Sequence, residues 1–193
     1  HPELWRGCVG AWNPGLGNSG SSLRDWSGRG NQCNFTAGVS STIWSTVNGR
    51  TALDYPGTVE QPFNTTALIN NTAVSTSIWL SKDGVGGGTY AVPIRVSDYT
   101  GYAGWRFWQS STEGVYYWSV RAYNNAAHRI TLPLLTDGRL THWVGTYDGT
   151  TLTAYVDGVL VETKVVGLAM TWAGSTAGFY GGHGWTSFSG IIQ

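Results

Sequence analysis

Two carboxyl groups held about 5–5.5 Å apart across a scissile bond are what a retaining glycosidase requires. On a strand, that demands carboxylates at alternating positions, so that they share one face. The chain has 193 residues and four glutamates, Glu3, Glu60, Glu113 and Glu162. None has a second carboxylate two or four residues away. Nucleophilic catalysis finds no better footing. His128, His142 and His183 are present, but no serine stands in a Gly-x-Ser-x-Gly elbow. No Cys/His spacing points to zinc, and "GVGGGT" (84–89) lacks the lysine and following helix of a phosphate loop. The expectation is a protein that is not an enzyme.

The residue types that remain are those of recognition. "GWRFWQSSTEGVYYWSVRAY" (104–123) reads as a hairpin. Alternation puts Trp105, Phe107 and Gln109 on one face and Arg106 and Trp108 on the other. On the return strand Tyr117, Ser119 and Arg121 oppose Tyr116, Trp118 and Val120. Both faces carry aromatics, so one set meets either solvent or a second layer. Exposed rings stack on sugars, with Arg, Asn and Gln bonding hydroxyls; covered rings are simply core. Trp108, Tyr117 and Arg121 are the ligand candidates here, with Tyr99, Tyr102 and Trp185 as comparable candidates in loops.

These residues must be positioned by strands. Gly (28), Trp (11) and Tyr (10) are abundant and Lys is nearly absent. Thr, Val, Tyr and Trp favour pleated sheets. Extended segments recur near 7–12, 32–36, 51–55, 74–81, 90–96, 104–109, 115–121, 128–134, 141–147, 151–156, 159–165, 176–181 and 187–192. The clearest is "THWVGTYDGTTLTAYVDGVLVETK" (141–164), three strands joined at Asp148-Gly149 and Asp157-Gly158. Both pairs suit primed turns, in which both central residues take positive φ. The fold class is all-β: a two-sheet antiparallel β-sandwich or jelly roll. No linker or charge block divides residues 1–193, which read as a single domain. In the loop 13–31, Leu23 and Trp26 are the anchors.

Formal net charge is zero, with no basic run, so no electrostatic footprint for nucleic acid or an anionic membrane exists. No apolar run approaches the roughly 20 residues that span a bilayer. A start at His1, without Met or signal peptide, reads as a mature or trimmed product. Cys8 and Cys33 either form one disulfide, as an oxidising environment allows, or stay buried thiols.

Taken in order, "RGCVGAW" (6–12), "LRDWSGRGNQ" (23–32), "ALDYPG" (52–57), "VSTSIWLSK" (74–82), "THWVGTYDGTTLTAYVDGVLV" (141–161) and "FSGII" (188–192) resemble a concanavalin A-like, laminin G-type jelly-roll domain. The resemblance implies two curved antiparallel sheets and a module that recognises glycans or proteins. It also implies that His142, at a strand start, is structural. Cys8 and Cys33 replace residues usual in the family, in segments that it places close together, which favours the disulfide. A Ca²⁺ ion at a sheet rim is a further implication: Asp25 matches a frequent acidic position, and Asn31 and Ser27 share its oxygen-rich loop. The family continues beyond "F-x-G-x-I" into a final strand. Here the chain stops at Gln193, so that strand is absent, truncated or completed by another chain, leaving an edge open to neighbouring subunits.

The functional expectation is a non-catalytic recognition module, for glycan binding or adhesion, located extracellularly, at a cell surface or on a virion. The alternative is a structural subunit, a decoration or fibre protein whose sandwich packs against neighbours.

Overall fold

The computed structural model describes residues 6–16, 18–19, 22–34, 44–47, 49–56, 61–63, 72–82, 93–97, 104–110, 115–120, 126–167, 176–179, 182–183, 186–187 and 189–192. In chain order the strands begin with β1 (Asn18–Ser19), β2 (Ser22–Leu23), β3 (Cys33–Asn34), β4 (Trp44–Val47), β5 (Arg50–Pro56) and β6 (Gln61–Phe63). There follow β7 (Val74–Lys82), β8 (Ile94–Ser97), β9 (Gly104–Gln109), β10 (Tyr116–Val120), β11 (Arg129–Leu132) and β12 (Thr141–Tyr147). The last are β13 (Thr151–Val156), β14 (Val159–Val165), β15 (Thr176–Phe179), β16 (Gly182–His183), β17 (Thr186–Ser187) and β18 (Ser189–Ile192).

Two sheets dominate. One has seven strands in the order β14-β13-β12-β7-β18-β5-β4, the other six in the order β11-β10-β9-β8-β15-β6. Neighbouring strands pair antiparallel throughout. This is the expected sandwich. Five strands escaped the sequence reading: β4 and β6 of the sandwich, and the miniature strands β1, β2 and β16. The expected strand at 7–12 is not one; it contributes only an isolated bridge between Trp12 and Asp25.

Alternation explains the layers. Along β12, Thr141, Trp143, Gly145 and Tyr147 are buried while the residues between them are half-buried. Facing them, β9 and β10 contribute Trp105, Phe107, Tyr116, Trp118 and Val120 to the same apolar cluster. Phe107 lies 5.3 Å and Tyr116 5.2 Å from Trp143, centroid to centroid. Burying a ring of this size contributes roughly 1.5–3 kcal/mol. The Trp118 indole N–H donates across the gap to the Thr146 carbonyl at 3.2 Å. Gly145 is what lets Trp118 lie there, because a Cβ at that position would come within 2.5 Å of the indole.

The meander of residues 141–165 forms as expected, but its two turns differ. Asp157 and Gly158 take φ of 51° and 80°, a primed turn. At the first turn only Gly149 has positive φ, and Asp148 instead folds the chain through its side chain. Its Oδ1 accepts the N–H groups of Thr150 (2.9 Å) and Thr151 (2.7 Å), which hold this carboxyl below its ordinary pKa.

β18 pairs with β7 only from Lys82 to Leu80, and with β5 only from Pro56 to Leu53. A cavity of about 1030 Å³ lies between β5 and β7, lined by residues 8–16 and reaching Ile94, Val96 and Trp105 of the opposite sheet.

Candidate functional site

Trp108 and Tyr117 stand opposite one another on β9 and β10, on the face turned away from the core. Their rings pack at 4.9 Å, with 34° between planes. The Arg129 guanidinium sits 4.1 Å from the Tyr117 centroid and 5.8 Å from that of Trp108. The Trp108 N–H donates to Ser119 Oγ at 3.0 Å. Register extends this face into a row, Arg95 opposite Arg106, Arg106 opposite Ser119, and Ser119 opposite Arg129. Arg129 was missed in the sequence, although alternation in "HRITL" puts it on this face.

The pair is not open to solvent. Trp108 is 3% and Tyr117 4% exposed, and Arg95 and Arg106 are buried as well. As placed, neither ring offers a free face on which a sugar could stack. The other ligand candidates, Tyr99, Tyr102, Arg121 and Trp185, lie outside the described residues.

The 24–31 loop is built around Asp25. Oδ1 accepts the N–H groups of Ala11 (2.9 Å) and Ser27 (2.8 Å); Oδ2 accepts Ser27 Oγ (2.8 Å) and the Asn31 N–H (2.9 Å). Burial by itself would raise this pKa, but the bonds from Ala11, Ser27 and Asn31 outweigh it and keep the carboxyl below its ordinary value. Asn31 in turn donates from Nδ2 to the Val9 carbonyl (2.5 Å) and accepts the Trp12 indole N–H on its own carbonyl (2.8 Å). Four donors aimed at one carboxylate is the arrangement of an anion receptor. A Ca²⁺ ion needs six to eight oxygen ligands and would have to displace some of those donors, so Asp25 and Asn31 as placed do not fit it. Among the described residues no three His, Cys, Asp or Glu side chains gather as a metal site. Leu23 anchors the loop as expected, while Trp26 is more exposed and lies under Arg24, 4.4 Å away.

The expected Cys8–Cys33 bridge is not formed, and this is a correction: both are free thiols. Cys33 is fully buried in the apolar cluster, where burial pushes its thiol pKa up, and Cys8 Sγ is turned to the Gly10 carbonyl at 3.4 Å.

The open aromatic surface is elsewhere. Trp79, on the outer face of β7, is 45% exposed. It stands in register with His142 of β12, and the two rings stack at 4.5 Å and 15°. His142 Nε2 shares a hydrogen bond with Ser77 Oγ at 2.7 Å. Asp157 steadies the backbone here, its Oδ1 accepting the main-chain N–H of His142 at 2.9 Å and its Oδ2 the Arg139 guanidinium at 2.6 Å. The threonines Thr146 and Thr153 follow on the same face, in register with Ser75 and with each other. The sequence reading passed over Trp79. Its signal was the strand phase, which sets Trp79 between buried Ile78 and Leu80.

No curated protein matches the chain in sequence. In structure it is similar to the Trypanosoma rangeli sialidase complexed with 2,3-difluorosialic acid, at TM-score 0.63 and 13% identity. That match covers 97% of this chain and 30% of the sialidase chain. The botulinum neurotoxin serotype D binding domain matches at TM-score 0.56 and 14% identity, covering 95% of this chain and 47% of the toxin domain. Domains LG4-5 of the mouse laminin alpha1 chain match at TM-score 0.53 and 12% identity, over 79% of this chain and 42% of theirs. The chain thus spans about a third to a half of these neighbours, and at such identities the likeness is one of fold. Residues 56–193 match the family model described as the concanavalin A-like lectin/glucanases superfamily, and the chain belongs to that superfamily as a laminin G-like domain.

Proposed function

We propose that this chain is a non-catalytic recognition module that binds a glycan or a protein surface outside the cell. The observation that carries this reading is the exposed Trp79–His142 stack on a sheet face lined by serine and threonine hydroxyls. An indole edge and face of this kind offers apolar contact to a sugar ring, while Ser77, Ser75 and Thr146 offer partners to its hydroxyls. The absence from the sequence of carboxylates at alternating positions supports binding without bond cleavage. Among the neighbours, the neurotoxin fragment is itself a binding domain. Tyr99, Tyr102 and Trp185, read as loop residues, and Arg121, read on the hairpin's return strand, belong to the same proposal as further contributors.

The test is a glycan array followed by calorimetric titration of hits, with Trp79→Ala as the variant. Loss of binding in a folded variant supports the reading; a blank array removes the glycan as partner, and binding that survives the substitution removes Trp79 from the site.

A second reading, a structural subunit, draws on the edge strand β14. Val159, Leu160 and Val165 are all exposed on it. Exposed apolar edge strands seek partners. Light scattering on the purified chain separates the two: a defined oligomer favours assembly, a monomer favours recognition of a foreign surface.

A further inference from the structure

Strand register orders the outer face beside Trp79 and His142 into rows. Four hydroxyl side chains, Ser75, Thr146, Thr153 and Thr163, stand opposite one another, one each on β7, β12, β13 and β14. Neighbouring strands lie about 4.8 Å apart, so this row crosses the sheet for about 14 Å. One step along the strands runs a second row, Ser77, Val144, Tyr155 and Leu160. Trp79 and His142 begin a third row beyond it. Ser75, Ser77, Trp79, Leu160 and Thr163 are exposed, and Val144, Thr146, Thr153 and Tyr155 between them are half-buried. Thr153 Oγ1 and Thr163 Oγ1 lie 3.4 Å apart, and a hydroxyl so engaged still has lone pairs for a further partner.

Charge is kept off these rows. Glu162 and Lys164 of β14 stand opposite Ala154 and Leu152, both fully buried, and so take the inner side of the sheet. Lys164 Nζ accordingly donates to the Arg129 carbonyl of the other sheet at 3.2 Å. Beyond His142, Arg139 and Asp157 neutralise one another at 2.6 Å. Past the hydroxyl row stands Asp148, a negative charge.

We propose that the ligand of this face is a neutral, linear glycan lying across β7, β12, β13 and β14. Its apolar ring faces rest on Trp79 and Tyr155, and its hydroxyls bond the row from Ser75 to Thr163. The inference rests on the recognition reading above and narrows its ligand. One hydroxyl per strand at a regular interval matches a polymer of repeating units rather than a single sugar. An acidic glycan meets no cation in either row, and desolvating an unpaired anion costs far more than desolvating a hydroxyl. A polypeptide finds no free backbone edge on β12 or β13, since each is paired on both sides.

The test is calorimetric titration of the intact chain. Cellohexaose, xylohexaose and mannohexaose are the neutral probes; hexagalacturonic acid and a heparin hexasaccharide are the acidic ones. The expected result is a neutral hexasaccharide that binds about ten-fold or more tighter than its own disaccharide and than either acidic probe. Its affinity should stay within about two-fold between about 0.05 and 0.5 M salt, because no ion pair is made. Tyr155→Ala should weaken it by about ten-fold, and Thr146→Val and Thr153→Val by about three- to ten-fold each. Valine keeps the size and strand preference of threonine, so the test survives even if Tyr155→Ala fails to fold. Acidic probes binding as tightly as neutral ones, affinity that falls with salt, or threonine variants that bind like the parent overturn this inference. If Trp79→Ala still abolishes that binding, the recognition reading stands without it. Silence from every neutral probe also overturns the inference, and a blank glycan array beside it passes recognition to a protein partner.

Discussion

Trp79 and His142 lie face to face on neighbouring strands, 4.5 Å apart and 15° from parallel, on the outer face of the larger sheet. The register of β7 with β12 brings them together, and the Ser77 hydroxyl bonded to Nε2 fixes the imidazole's tilt. Since Trp79 is half in solvent, its removal takes away little buried area. Trp79→Ala is expected to cost about 1 kcal/mol or less, a Tm shift of roughly 2–4 °C. The same change should weaken glycan binding by about 30-fold, as loss of an aromatic anchor does. Calorimetric titration beside a thermal melt checks both halves.

Trp108→Ala should behave in the opposite way. Its indole is buried, bonded to Ser119 and packed on Tyr117 under Arg129. Truncating a buried tryptophan costs about 3–5 kcal/mol, so Tm should fall by roughly 6–20 °C. A variant that melts like the parent would show that the ring is not covered in solution.

Asp25 makes stability depend on acid. Its folded pKa lies below its unfolded value of about 3.9. Its contribution is therefore present above about pH 4 and is lost as pH falls through the folded value. Asp25→Asn should lower stability by about 2–3 kcal/mol at neutral pH, since a neutral amide accepts these donors less well. It should also flatten the Tm–pH curve below pH 4. Melts of both proteins across that range decide it, and a melt with chelator is expected to match one without.

Gly145→Ala tests the fit between the sheets. The added methyl would meet the Trp118 indole, fully buried and bonded to Thr146, with no open side into which to retreat. Overpacking of this kind costs about 1–3 kcal/mol. Denaturant unfolding should show a lower midpoint at an unchanged slope.

The thiols separate by burial. A thiol reagent should modify Cys8 in the native protein and Cys33 only on unfolding, because Cys33 is sealed in the core with its pKa raised. Intact mass should be the same with and without reductant. A difference of two hydrogens would restore the bridge.

The residues themselves determined the class of fold. Alternation in β7, β12 and β13, together with the Asp-Gly pairs, marked the meander at its correct bounds, because strand period and turn chemistry are local properties. The want of paired carboxylates was equally legible. Alternation assigned Trp108 and Tyr117 to a face of their own, yet it could not say whether that face was wet. Burial of that face is a tertiary property, and a two-residue period carries no information about it. The same limit hid Trp79, whose exposure is likewise a tertiary property. Only the tertiary structure decided the pairing of β18 with β5 and β7, strands more than a hundred residues apart from it in sequence. It also decided that Asp25 turns to backbone donors, a choice made by the chain segments that fold around it. Period and turn residues act over a few positions, whereas burial and register are set by contacts that no short window contains.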